Sequence, residues 1–93
     1  MSETIRKHFV FCGTVQGVGF RYRAHKAAEM TGCTGWVRND RSGSVTMELQ
    51  GTEEQIDAVI LAIERGHFIR IENMESRRIP PDEDERGFRT EYD

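Results

Sequence analysis

Apolar and polar positions alternate along Lys7 to Val15, where Phe9, Phe11 and Val15 share one parity and Gly13 interrupts it, which predicts a first strand. The stretch VQGVG follows, and from Phe20 the period changes to that of a helix. Phe20, Ala24, Ala27, Ala28 and Thr31 fall on one helical face, and Gly32 stands where a left-handed C-terminal cap belongs. Trp36 and Val37 mark a second strand, and Val45, Met47 and Leu49 alternate in a third. Turn residues from Asp40 to Gly43 make that pair a hairpin. Thr52 opens a capping box with Gln55, ahead of Ile56, Val59, Ile60 and Ile63 at helical spacing, and Gly66 reads as the stop. A fourth strand is expected over Phe68 to Ile79 from the alternation of Ile69 and Ile71, with no sharp end in the polar stretch after Met74. Pro80 to Glu85 reads as a solvated loop and Phe88 to Tyr92 as a short closing strand.

This order, β-α-β-β-α-β plus a tail strand, predicts an α+β fold on the ferredoxin-like plan. A mainly antiparallel sheet would carry two helices on one face, with a short C-terminal fifth strand. The 93 residues suit one domain spanning 1–93, and no internal repeat, linker or low-complexity segment breaks them. With 37% hydrophobic residues and a mean hydropathy of -0.63, the core has to be small; Phe20 and Trp36 are expected in it. Cys12 and Cys33 form no C-x-x-C pair and read as buried small hydrophobes, a disulfide being the secondary reading.

Charge narrows the function. The net charge of -3 hides an uneven split: residues 1–46 hold seven Lys/Arg against three Asp/Glu, and residues 47–93 hold six against thirteen. Small anions such as phosphate are drawn to the first half, while a nucleic acid would also meet the acidic half and is excluded as a general partner. The N-terminal MSETIRKHF has no apolar stretch of a secretory signal, and no run approaches the ~20 apolar residues of a membrane span. A cytoplasmic monomer without membrane contact is expected. His8, His25 and His67 are scattered and read as solvated or half-buried surface histidines, and no metal site or cofactor is indicated.

The chemistry concentrates in Val15-Gln16-Gly17-Val18-Gly19-Phe20 and the following Arg21. A glycine-bearing loop between a strand and a helix can converge backbone N–H groups where the helix N-terminus is already positive, and a guanidinium in the first turn can take two phosphate oxygens at once. Spacing alone fits equally a glycine-containing turn with a solvated arginine. The loop lacks the G-K-[ST] of a P-loop, and Tyr22 stands where G-x-G-x-x-G needs its last glycine, so neither nucleotide motif is present.

The segments GTVQGVGFR at 13–21 and GWVRN at 35–39, with Gly43 and Val45 following, resemble the two signatures of the acylphosphatase family. The resemblance extends from about His8 to Tyr92 and includes the closing Gly87-Phe88-Arg89-Thr90-Glu91-Tyr92. It implies a metal-free hydrolase of small acyl phosphates, releasing a carboxylate and inorganic phosphate. It further implies that Arg21 binds the phosphate with the loop Val15 to Phe20, and that Asn39 positions the attacking water. Outside that pattern Asn39 is ordinary turn chemistry beside Asp40. Arg23 and Arg38 are expected as surface charges that raise the local potential, and Asp40 is tolerable near an anion only if it faces away or pairs with Arg38 or Arg41. The competing expectation is a non-catalytic module that keeps the phosphate loop without the chemistry.

Overall fold

The computed structural model describes residues 3–93; Met1 and Ser2, at the start of the segment read for a secretory signal, lie outside it. The elements are β1 (Ile5–Thr14), α1 (Phe20–Thr31), β2 (Thr34–Asn39), β3 (Val45–Gly51), α2 (Glu53–Glu64), β4 (Arg70–Ile79) and β5 (Phe88–Tyr92). They build a five-stranded sheet in the order β4-β1-β3-β2-β5. Every pairing is antiparallel except β2 with β5. This is the ferredoxin-like α+β arrangement anticipated from the element order.

The helices form because their sequences supply both caps and an apolar stripe. In α2 the Thr52 side chain accepts from the Gln55 N–H at 3.2 Å and the Gln55 side chain accepts from the Thr52 N–H at 2.8 Å, which closes the capping box. Glu53 and Glu54 add negative charge in the first turn, where the helix dipole favours it. The helix ends on Arg65, one residue before the predicted glycine stop. Gln55 also donates to the Thr31 carbonyl at 2.9 Å, tying the end of α1 to the start of α2.

The odd-numbered residues of β1 and β3 and the apolar faces of both helices meet in one core. Phe9, Phe11, Val45, Met47 and Leu49 pack there with Phe20, Ala24, Ala28, Ile56, Val59 and Ile63. Alanine is the main buried residue of α1, so the helix can lie close to the sheet with little side-chain volume between. Phe11 and Phe20 stack in a tilted pair with centroids 4.9 Å apart, which fixes the start of α1 over β1.

The opposite face of the sheet departs from the sequence expectations. Trp36 is only half buried there, with the Arg38 guanidinium 5.2 Å from its ring centre and His8 edge-on at 6.4 Å. It covers the polar face and takes no part in the core. Cys12 lies on the same parity as His8 and is exposed; Cys33 is buried, and both thiols are free. Phe68 falls outside β4 and is 78% exposed, because the strand begins only at Arg70. Val15 lies beyond the end of β1, yet it is buried.

The segment from Pro80 to Gly87 is also more than a solvated loop. It must carry the chain from β4 to β5, which lie at opposite edges of the sheet, and it does so tied to the polar face. Gln50 and the Asp82 backbone exchange two hydrogen bonds of 2.9 and 2.7 Å. Glu85, with a side chain 2% exposed, accepts from Arg6 at 2.7 and 3.1 Å, and Arg6 also donates to Glu48 at 3.0 Å.

Burial pushes the Glu85 and Glu48 carboxyls up, but hydrogen bonds and charge outweigh it and hold both below their ordinary 4.5. Arg6 chiefly, with Arg89, supplies them to Glu85, and His8 and Arg6 supply them to Glu48. In acid the unfolded chain therefore binds protons before the folded one. The stabilisation should be complete above about pH 4.5 and vanish as the pH falls through the depressed folded values. Glu85→Gln is expected to cost about 2–4 kcal/mol near neutrality and to flatten this acid dependence, measured by urea denaturation at a series of pH values.

Candidate active site

Both strands that deliver the predicted site residues run antiparallel to β3, so β1 and β2 are parallel and end at the same edge of the sheet. There the chain leaves Thr14, passes through Val15 to Gly19 and enters α1 at Phe20, while Asn39 closes β2 beside Val45. A pocket of about 190 Å³ lies between them, lined by Val15, Gly17, Gly19, Phe20, Arg21, Tyr22 and Asn39. The structure thus brings together six of the eight residues predicted for the site and adds Tyr22. Gln16 and Val18 do not line the pocket.

The loop is shaped to leave donors unpaired. Gly17 and Gly19 have φ of 73° and 86°, in the left-handed region that suits glycine. Gly19 stands at the N-cap of α1, and no side chain caps that end. The first helical bond there is Arg23 N–H to Gly19 C=O at 3.0 Å, so the amides of Phe20, Arg21 and Tyr22 find no partner within the helix. Val15 and Phe20, each 1% exposed, pin the two ends of the loop into the core.

Gln16 has a different task from the one its place in the loop suggested. Its side chain donates to the carbonyls of Asp40 and Ser44 at 2.7 and 2.8 Å, locking the loop onto the β2–β3 hairpin. The sequence signal for this was absent, since the three residues lie 24 and 28 positions apart.

Three arginines compete for the role of anion receptor, and their partners separate them. The Arg23 Nε donates to the Ala62 carbonyl at 2.9 Å and so caps the last turn of α2. Arg38 is paired with Asp40 at 2.8 Å. Neither is the free surface charge expected from the sequence. Arg21 is half buried at the pocket and has no hydrogen bond or ion pair to any described residue. No acid lies in the first turn of α1, so this end of the helix gathers a guanidinium and open amides, an arrangement the helix dipole disfavours until an anion arrives.

Asp40 is made harmless by its bonds. One carboxylate oxygen takes Arg38, and the other takes the hydroxyls of Ser44 at 2.9 Å and Thr46 at 2.6 Å. Burial pushes this carboxyl up, yet the bonds from Thr46, Arg38 and Ser44 prevail and hold it below the usual range. Asn39, next to it, presents an amide oxygen that is shielded from solvent and has no partner among the described residues. A buried acceptor left open costs stability unless a ligand or water fills it.

The acylphosphatase family model matches residues 7–90. The chain belongs to the acylphosphatase family. It is 41% identical over 90 residues to the acylphosphatase of Geobacillus thermodenitrificans, covering 94% of each chain. It is 40% identical over 82 residues to that of Oceanobacillus iheyensis, covering 86% of this chain and 90% of the relative. The crystal structure of acylphosphatase from Bacillus subtilis superposes with a TM-score of 0.86 at 27% identity, covering 95% of this chain and 99% of that one. The chain is an acylphosphatase-type hydrolase that cleaves acyl phosphates, and the reading as a non-catalytic module gives way.

The acylphosphatase loop should depend on its anchor. Gln16→Ala is expected to remove two hydrogen bonds to carbonyls that keep only their backbone donors, Gly43 N–H for Asp40 and Asp40 N–H for Ser44, and so to loosen the loop and destabilise the protein by about 1–2 kcal/mol in urea denaturation.

Proposed function

We propose that Arg21 and the loop Val15 to Phe20 hold the substrate phosphoryl group and that Asn39 holds the attacking water. The observation that carries this reading is the single pocket shared by an unpaired Arg21, uncapped helix amides and the open acceptor of Asn39. In this reading the guanidinium takes two phosphoryl oxygens side by side and the amides take the rest, meeting charge that is spread over the equatorial oxygens at the transition state.

Asn39 accepts one hydrogen bond from water, which leaves a lone pair of the water oxygen aimed at phosphorus. As the new P–O bond forms, the bond from phosphorus to the acyl oxygen breaks and its electron pair leaves on the carboxylate. The water protons end on the phosphate product, which then equilibrates with solvent. The conjugate acid of the leaving group has a pKa of ~4, so departure at neutral pH needs no general acid. The pocket lining offers none beyond the phenol of Tyr22.

One chain supplies every group in this scheme, which supports a working monomer. Free Cys12 and Cys33 support a reducing, cytoplasmic setting. Among the described residues no helix is long and apolar enough to cross a membrane.

Turnover of acetyl phosphate in excess chelator tests the scheme. Arg21→Ala should lower kcat/KM by at least about a hundredfold and weaken competitive inhibition by inorganic phosphate. Asn39→Ala should lower kcat by about a hundredfold while inhibition by phosphate stays within about twofold. Normal turnover in Arg21→Ala, or equal loss of phosphate affinity and kcat in Asn39→Ala, would refute the corresponding assignment.

A further inference from the structure

In-line displacement fixes more than the water. It also fixes the direction in which the acyl group leaves, since the entering and departing oxygens lie on opposite sides of phosphorus. At the sheet edge that carries the site, the strand ends follow the order Arg70, Thr14, Val45, Asn39, Tyr92. The phosphate loop rises from Thr14 and Asn39 lies on the β2 side of it. A leaving group directed away from Asn39 is carried toward the paired ends of β1 and β4.

An open concavity of about 530 Å³ lies there, lined by Thr14, His67, Phe68, Ile69, Arg70 and Glu72. Its size falls within the range of small-molecule sites. Thr14 immediately precedes Val15 of the phosphate pocket, so the two hollows adjoin along the chain. Phe68 is exposed and stands in the short connection between α2 and β4, with the His67 ring 6.1 Å away. Arg70 is exposed and, like Arg21, has no ion pair with any described residue. Glu72 is the one acid of the ledge.

We propose that this ledge is the acyl-group subsite, with Phe68 receiving a flat apolar acyl body and Arg70 an anionic group at its far end. The proposal rests on the assignment of Asn39 to the water, because that assignment sets the direction of departure. It makes the enzyme selective among acyl phosphates: a short acyl group does not reach the ledge, whereas an aryl group does. An aryl group with a distal carboxylate gains a second contact at Arg70. Exposed aromatic rings are costly to leave in water, and an unpaired guanidinium beside one is a receptor for such a ligand.

The test compares acetyl, benzoyl and para-carboxybenzoyl phosphate as substrates of the intact chain and of Phe68→Ala, Arg70→Ala and Tyr22→Ala. Phe68→Ala is expected to lower kcat/KM for both aryl substrates about five- to tenfold, through KM, with acetyl phosphate unchanged within about twofold. Arg70→Ala should lower kcat/KM about three- to fivefold for para-carboxybenzoyl phosphate alone. Equal effects on all three substrates, no effect on any, or discrimination lost only in Tyr22→Ala would overturn the subsite, the last by placing the acyl group over α1. Turnover of acetyl phosphate by the unaltered chain, lost in Arg21→Ala, separates these outcomes. If it persists while the ledge variants fail to discriminate, only the subsite falls; if it is absent, the phosphate assignment falls with it.

Discussion

The site depends on one constraint: backbone amides at the start of α1 must stay unpaired while the loop that carries them stays rigid. Helices ordinarily finish such an end with a serine, threonine or aspartate side chain, as Thr52 does for α2. Gly19 brings no side chain to that position and adopts a left-handed conformation that turns the chain into the helix. Rigidity must then come from outside the loop. Buried Val15 and Phe20 hold its ends, and Gln16 fastens its side to the carbonyls of the neighbouring hairpin. The amides at the start of α1 stay open while these three contacts hold the loop in place.

The topology brings the second half of the site to the first. With β3 between them, β1 and β2 run parallel and end at one edge, so residues far apart in sequence meet there without a long connection. The hairpin that follows Asn39 carries both the carbonyls that receive Gln16 and the carboxylate of Asp40, which the same hairpin neutralises through Arg38, Ser44 and Thr46. The far end of the sheet has the opposite character. There the chain between β4 and β5 crosses a polar face and is held by Arg6, Glu48, Gln50 and Glu85. Donors left free at one end are matched by charges paired at the other.

Much of the fold was legible in sequence because it rests on local periodicity. The capping box of α2, the alternation of Val45, Met47 and Leu49, and the helical face of Phe20, Ala24 and Ala28 each need only neighbouring residues to be recognised. What could not be read lies where long-range partners decide. Glu85 looked like one of four solvated acids until Arg6, 79 positions away, enclosed it. Trp36 is expected in the core from sequence, but its place on a face covered by charged side chains makes it a platform for Arg38. Phe68 was read into β4 by the alternation of Ile69 and Ile71, yet backbone pairing to β1 begins only at Arg70. The site followed the same division: the loop was visible as a pattern, whereas the choice of Arg21 over Arg23 and Arg38 on structural grounds required knowing what each one touches.

On the proposed assignment, the lining of the pocket also bears on which phosphates react. In the proposed scheme Arg21, the loop amides and Asn39 fix a phosphoryl group and a water, but none of them can hand a proton to a departing oxygen at neutral pH. An alkoxide leaving from a phosphomonoester is a strong base and needs that proton, whereas a carboxylate leaves as it stands. On the proposed assignment, a preference for mixed anhydrides does not require a pocket that recognises the carbonyl. It follows from a lining that supplies charge and position and, apart from the Tyr22 phenol, no acid.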